Sequence, residues 1–333
     1  MITLLFILLI LCNKEADAFQ MFPSTTFDSN NSFVMETKRN VLPSFTTIPT
    51  QSSKRSKEDD FTLNRASFLK YNFSIAFFSL FAPNTSLAMY TDTNTKILLP
   101  EQGEIESSIP SLWDEKDDPF QNVDKSSFAR LDSQPDTIFY QDPRFTEHVD
   151  DNAVKLMTNY ISSVLQPNDV VLDLCSSWTS HIDKSTLEKV GKISGLGLNE
   201  EELQRNPSLY DYVVQDLNAS SDLKLPYKDG HFDVVLCQLS IDYMIYPREL
   251  LREVGRILKP GGSVHILFSN RLFLQKAVGL WTGKDDLDHA YTVGSYLHYS
   301  KGGFVDIYAK DLSTRKKGKI VGDPMYVVVG TKM

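Results

Sequence analysis

From about residue 150 onward the chain alternates short apolar runs with stretches whose apolar positions recur every three to four residues. Short Val/Ile/Leu runs predict strands buried on both faces, and the amphipathic stretches between them predict the helices that cover those faces. Strands are expected at 169–175 (DVVLDLC), 192–198 (KISGLGL), 212–217 (YVVQDL), 232–239 (FDVVLCQL) and 263–269 (SVHILFS). Helices are expected at 151–165, at 181–190, at 199–206 and at 247–258. Asn199 caps the third of these, with Glu202 placed for a capping box and Pro207 as its stop; Pro247 sits in the first turn of the fourth. LKPGG (258–262) reads as a sharp turn, and GFVDIYAKDL and PMYVVVGTK close the chain as a hairpin-like pair. The alternation predicts an α/β fold, a mostly parallel sheet with helices on both faces.

The pattern before residue 138 is different. MITLLFILLILC is an apolar run too short to span comfortably, and Ala16-Asp17-Ala18 offers small residues at a cleavage point, so 1–18 reads as a signal peptide. Residues 20–60 are rich in Ser, Thr, Asn and Pro with scattered Lys and Arg, a composition that cannot bury a core and resembles a transit peptide. A signal peptide whose removal exposes Phe19, followed by such a stretch, is similar to the bipartite presequences of algae with complex plastids. That resemblance implies a plastid address. An ordinary secreted protein is the alternative, with sequons at Asn72 and Asn218 open to glycosylation. A second apolar segment at 71–88 looks like a further export signal toward the thylakoid lumen, or a membrane-docking segment if it is not cleaved. Residues 89–137 are polar, with Pro, Asp and Glu, and are expected as a linker or weakly ordered arm ahead of a domain at 138–333.

Composition narrows the partners. The 333 residues are 41% hydrophobic, enough for one large core, and the net charge of −9 gives a nucleic acid no electrostatic help. The three cysteines, Cys12, Cys175 and Cys237, form no CxxC pair and no His/Cys cluster at zinc spacing, so neither a disulfide scaffold nor a metal site is expected.

Two motifs carry the chemistry. D-x-x-F-D-x-V (229–235) followed by E-x-x-R-x-L-K-P-G-G (253–262) resembles the class I S-adenosylmethionine-dependent methyltransferases, and within them the methyltransferase type 11 group, over about 138–333. The resemblance implies a seven-stranded Rossmann-like sheet, its last strand antiparallel, and S-adenosylmethionine as cofactor. It also implies a binding crevice beyond the carboxyl ends of the strands, where the strand order reverses. The family's glycine-rich turn after the first strand is here Asp173-Leu174-Cys175-Ser176-Ser177-Trp178-Thr179, without a glycine. Its Ser hydroxyls are expected to supply donors where a bare backbone would otherwise approach the ligand. The acid that the family places after the second strand, for the ribose hydroxyls, is Gly197; Asn199 is either a substitute or simply a helix cap. Asp216, with Leu217, matches the adenine-binding pattern, and Gln238 lines the end of the fourth strand.

Methyl transfer asks for alignment and sometimes a base. Candidates are His148, His181 and Asp242, with Tyr243 beside the last; each is equally readable as a surface or capping residue. Arg271 either holds an anionic substrate or pairs with an acid, and Trp178, Trp281, Tyr296 and Tyr299 form either an aromatic wall or ordinary core. His289 and His298 fall between strands five and six, where substrate-specific insertions occur. Cys175 and Cys237 fall at the same end of neighbouring strands, where two separate packed thiols are favoured over a redox pair. The leading expectation is a methyltransferase acting on a small-molecule or lipid-like acceptor. Its rivals are a cofactor-binding protein that has lost catalysis and a non-enzymatic plastid assembly factor.

Overall fold

The computed structural model describes residues 89–92 and 97–333. The expected signal peptide at 1–18 and the targeting stretch 19–88, with its apolar segment 71–88, lie outside the described residues. The leading segment contains β1 (Tyr90–Thr91), β2 (Leu98–Leu99), α1 (Glu104–Ser107) and α2 (Asp136–Phe139). There follow α3 (Asp151–Val164), β3 (Val170–Leu174), α4 (Lys184–Leu187), β4 (Lys192–Gly197), α5 (Glu200–Arg205), β5 (Asp211–Val214) and β6 (Phe232–Gln238). The remainder is α6 (Pro247–Ile257), β7 (Leu258–Phe268), α7 (Asp286–Tyr299), β8 (Phe304–Asp311), β9 (Arg315–Lys316), β10 (Lys319–Ile320) and β11 (Tyr326–Lys332).

Seven strands form one sheet in the order β5-β4-β3-β6-β7-β11-β8. The first five are mutually parallel, and β11 runs antiparallel to both β7 and β8. This is the Rossmann-like methyltransferase sheet that the motifs imply, with the order reversing at β3. Period-two alternation sorts each strand between two cores: Leu172 and Leu174 join one buried cluster, whereas Val171 joins the other beneath α3. Burying such a side chain is worth about 1.5–3 kcal/mol.

Four expectations about local structure change. LKPGG is not outside the ladder: β7 starts at Leu258 opposite Phe232, and the pairing resumes with Ser263 opposite Val234, so the turn is accommodated as a bulge. The helix expected at 181–190 shrinks to the single turn α4, whose start at Lys184 is set by Asp183, which caps it by accepting from Thr186 N. The stretch carrying His289 and His298 is the 14-residue helix α7, capped by Asp285; it is buried around most of its circumference, which erases the one-sided apolar period. The closing pair is not a simple hairpin, since β11 inserts between β7 and β8 and the link between them carries the β9–β10 hairpin.

The segment 89–137 departs furthest from a polar linker. Leu99, Ile105 and Phe120 are buried in the main core, and Phe120 stacks on Tyr296 of α7 at 5.0 Å. Its backbone pairs with 275–280: Asp132 N donates to Gln275 O, and Gly279 N to Ala129 O. Lys276, fully buried, donates to Gln134 O and lies 3.0 Å from Asp132 and 3.4 Å from Asp136, which also takes Arg130 at 2.8 Å. Leu99, Ile105 and Phe120 are spaced six and fifteen residues apart, so no window of the sequence shows the periodicity that would reveal them.

Candidate active site

A cleft opens beyond the carboxyl ends of β3, β4, β5 and β6, roofed by the segment 136–148. All nine residues expected to hold the cofactor line it: Asp173, Cys175, Ser176, Ser177, Gly197, Asn199, Asp216, Leu217 and Gln238. The hydrogen bonds of Ser176, Ser177 and Asn199 differ from those expected.

The glycine-poor turn is built around Asp173. This buried carboxylate accepts from Ser176 Oγ at 2.6 Å, Ser180 Oγ at 2.7 Å and Gln238 Nε2 at 2.9 Å. Burial raises its pKa, opposed by these three hydrogen bonds. Ser177 Oγ donates to Glu202 at 2.6 Å. The two serine hydroxyls are therefore spent on the Asp173 and Glu202 carboxylates and are not the ligand donors expected of them. What remains for a ligand is the backbone: the N–H groups of Ser177, Trp178 and Thr179 have no protein acceptor among the described residues. Cys175 adopts φ +60°, the left-handed conformation that glycine provides freely, at a cost of roughly 1–3 kcal/mol.

The turn also explains Gly197. A Cβ there would sit 2.2 Å from Ser176 O, so the missing acid is excluded by shape. Ser176 N donates to Leu196 O at 2.8 Å, holding the two chains at this approach. Asn199 does not substitute for the acid: its Oδ1 accepts from Glu202 N, and its Nδ2 donates to Tyr140 O and Gln141 O. The capping-box role of Glu202 is likewise overturned, since its carboxylate reaches away from Asn199 to Ser177 Oγ and Arg144 N. Asp216 accepts from Asn218 N through Oδ1, and its Oδ2 has no hydrogen-bond partner among the described residues.

Of the candidate bases, His181 is already committed. Gln238 Nε2 faces Asp173 Oδ1 and Ser180 O, so Gln238 Oε1 turns to His181 Nδ1 at 2.8 Å; Glu147 Oε2 stands 3.0 Å from Nε2. Both ring nitrogens thus meet acceptors, an arrangement that favours the imidazolium, which donates from both. Burial works against that charge, but the hydrogen bond and charge of Glu147 outweigh it and raise the pKa of His181. The hydrogen bond from His181 in turn lowers that of Glu147.

The signs of the two shifts set the pH response. His181, raised in the folded state, contributes stability that is complete below pH 6.5 and is lost as pH climbs through its folded pKa. Glu147, lowered, contributes stability present above pH 4.5 and lost as pH falls through its folded value. Thermal midpoints of His181→Gln and the unchanged protein are expected to differ most between pH 4.5 and 6.5 and to converge as pH rises above that window; a gap constant across pH 6–9 would contradict the charged pair.

Asp242 is removed from the list of bases facing the cleft. The 3-10 turn Ile241–Tyr243 sends Tyr243 to the cleft wall and Asp242 inward, where burial pushes its pKa up to about 8. His148 does reach the cleft. It stands at the rim with its ring partly covered, edge-on to Phe273 at 5.1 Å, and that partial desolvation and then the Arg144 charge lower its pKa, which favours the neutral ring at pH 7.

Other singled-out residues fall outside. Arg271 pairs with Asp323 at 2.8 Å; Trp281, Tyr296 and Tyr299 are core; His289 stacks on Trp281 at 4.1 Å and His298 on Trp113 at 5.0 Å. Trp178 lines the cleft. Asn218 has no amide free for a glycan, as Nδ2 donates to Asp136 Oδ2 and Tyr243 O while Oδ1 accepts from Ile245 N. The Cys175 and Cys237 thiols are both free; the neighbouring Cys175 thiol, then burial, raises the Cys237 pKa well above its ordinary value.

Several cleft residues carried no signal in the sequence. Tyr140, Arg144 and Glu147 come from the segment preceding α3, and Phe273 from the loop after β7. The Arg144 guanidinium lies 4.3 Å from the Phe139 ring centroid and 5.1 Å from that of Phe273. Tyr243 Oη accepts from Phe273 N at 2.9 Å, closing the wall opposite the turn.

A family profile described as a methyltransferase domain matches residues 183–266. A ubiquinone/menaquinone biosynthesis C-methyltransferase (UbiE) from Chromobacterium violaceum is 27% identical over 111 residues, covering 32% of this chain and 45% of the relative. A 27-O-demethylrifamycin SV methyltransferase from Amycolatopsis mediterranei is 30% identical over 105 residues, covering 30% and 38%. The chain thus spans less than half the length of these curated relatives. Among solved structures, an S-adenosylmethionine-dependent methyltransferase from Aquifex aeolicus aligns at 17% identity and a TM-score of 0.40, over 61% of this chain and 100% of that one. The profile and the named relatives bear out the resemblance to methyltransferases read from the two motifs.

Proposed function

We propose that the chain is an S-adenosylmethionine-dependent methyltransferase acting on a small-molecule or lipid-like acceptor. The observation that carries this reading is the convergence of the turn 175–179, Gly197 and Asp216 on one cleft at the strand-order reversal. The donor set fits the cofactor. The N–H groups of 177–179 suit its amino-acid end, and the free Asp216 oxygen with the apolar Leu198 and Leu217 suits a nucleobase.

When bound, the cofactor supplies an electrophilic methyl group on a sulfonium. The protein's share is alignment and exclusion of water. The network from Asp173 through Gln238 and His181 to Glu147 ties the floor of the cleft to its roof, fixing the cofactor wall relative to the acceptor wall of Tyr140, Tyr243 and Phe273. His148, neutral at the rim, is the residue suited to take a proton from an acceptor hydroxyl.

Calorimetric titration of the full chain with S-adenosylmethionine tests the reading, with saturable heat expected. Asp216→Ala is expected to weaken binding about tenfold or more, the loss of one hydrogen bond to a charged group. Absence of heat at millimolar cofactor would remove the proposal. Binding without transfer of labelled methyl to a lipid or small-molecule extract would leave a cofactor-binding protein without catalysis.

A further inference from the structure

We propose that the rim of the sheet carrying the β9–β10 hairpin docks on an anionic membrane surface. The hairpin reads RKKGK (315–319), in a chain whose overall charge is −9. Lys317 and Gly318 both take positive φ, 53° and 81°, as a tight two-residue hairpin turn requires, which puts the lysines at a projecting tip. Arg315 turns inward and pairs with Asp311 at 2.6 Å. Lys310, Lys316, Lys317 and Lys319 are exposed, and none has a carboxylate partner among the described residues.

Apolar surface accompanies this charge. Val321 follows the hairpin at 46% exposure, and Leu98 of the neighbouring β1–β2 hairpin is 43% exposed. The two hairpins are fastened together: Ile320 N donates to Tyr90 Oη at 2.6 Å, and Arg315 Nη2 to Pro100 O at 3.0 Å. The chain reaches this place directly from the apolar stretch 71–88, which ends one residue before the first described position. Lysines beside exposed aliphatic side chains, with an apolar stretch leading in, match a lipid headgroup layer.

The register fixes which end of the sheet is involved. Asp311 stands opposite Tyr326, and Tyr326 opposite Phe268 at the carboxyl end of β7, so the loop 312–325 projects from the same end as the cleft. Reciprocal hydrogen bonds of 2.8 Å between Asp150 and Asp323 tie that loop to the start of α3, next to the cleft roof. A protein docked here presents the cleft end of its sheet to the bilayer.

Sedimentation of the full chain with phosphatidylcholine vesicles, with and without phosphatidylglycerol, tests the proposal. Binding to the anionic vesicles alone is expected, weakening as salt is raised. The triple variant Lys316→Gln/Lys317→Gln/Lys319→Gln is expected to lose roughly fivefold in affinity per lysine, on the order of 100-fold together. Its circular dichroism is expected to match that of the unchanged protein, since all three positions are exposed. Equal binding to neutral vesicles, undiminished binding of the triple variant (which would leave 71–88 as the sole anchor) or no binding by the unchanged protein would each overturn it.

Discussion

Replacing Lys276 with alanine is expected to cost about 3–5 kcal/mol of stability, the loss that follows when one partner of a buried charge cluster is removed. The ammonium is fully buried and is held by Asp132, Asp136 and Gln134 O. Without it, Asp136 keeps Arg130, but its carboxylate sits in a desolvated site with one cation fewer. A domain of ordinary stability has only about 5–15 kcal/mol to lose, so the change takes a large fraction of it. Urea unfolding should show the midpoint falling with little change in slope. The combined variant Lys276→Met/Asp136→Asn is expected to lose less than the sum of the two single changes, because each removes the charge the other would strand. Strict additivity would mean that the segment 130–136 is held by its apolar contacts and backbone pairing alone. The same substitution should also weaken cofactor binding, since Asp136 lines the cleft and bonds Asn218 two residues after Asp216.

Gly197→Asp is the second large effect, and its direction is the informative part. By family resemblance an acid at this position should strengthen the grip on the ribose. In this protein the Cβ alone would stand 2.2 Å from Ser176 O and 3.0 Å from Leu203 Cδ2. The turn must move or the strand must bend, a strain of about 1–3 kcal/mol for overpacking of this kind. Because Ser176 is bonded to Asp173, moving the turn also disturbs the contacts of Asp173 with Ser180 and Gln238. Cofactor affinity, measured by calorimetry, is therefore expected to drop at least tenfold. An increase in affinity would show that the close approach is not a property of the working protein. Gly197→Ala separates the two causes: it carries the collision without the charge and should reproduce most of the loss.

Where the sequence was informative, one element reports on itself. DVVLDLC and FDVVLCQL are strands because unbroken β-branched and aliphatic runs suit a surface buried on both faces, and that cause operates within seven or eight residues. Asn199 caps α5 and Pro247 opens α6 for equally local reasons. The two long-spaced motifs located the cleft, and every residue nominated to hold the cofactor lines it.

What each of those residues does was a matter of neighbours distant in sequence. Ser177 is spent on Glu202, 25 positions away, and His181 on Gln238 and Glu147, 57 and 34 positions away. Asp242 and Tyr243 are adjacent, yet a single 3-10 turn sends one into the protein and the other to the cleft. The leading segment gave no sign of its docking, because Leu99, Ile105 and Phe120 join one core from scattered positions that share no period. The amino-acid order by itself thus determined the strands, the caps and the site of the cleft, which depend on near neighbours and on repeating patterns. Only the tertiary structure decided which polar groups are left for a ligand, because a hydrogen-bonding group buried on folding takes whichever partner the packed chain brings to it.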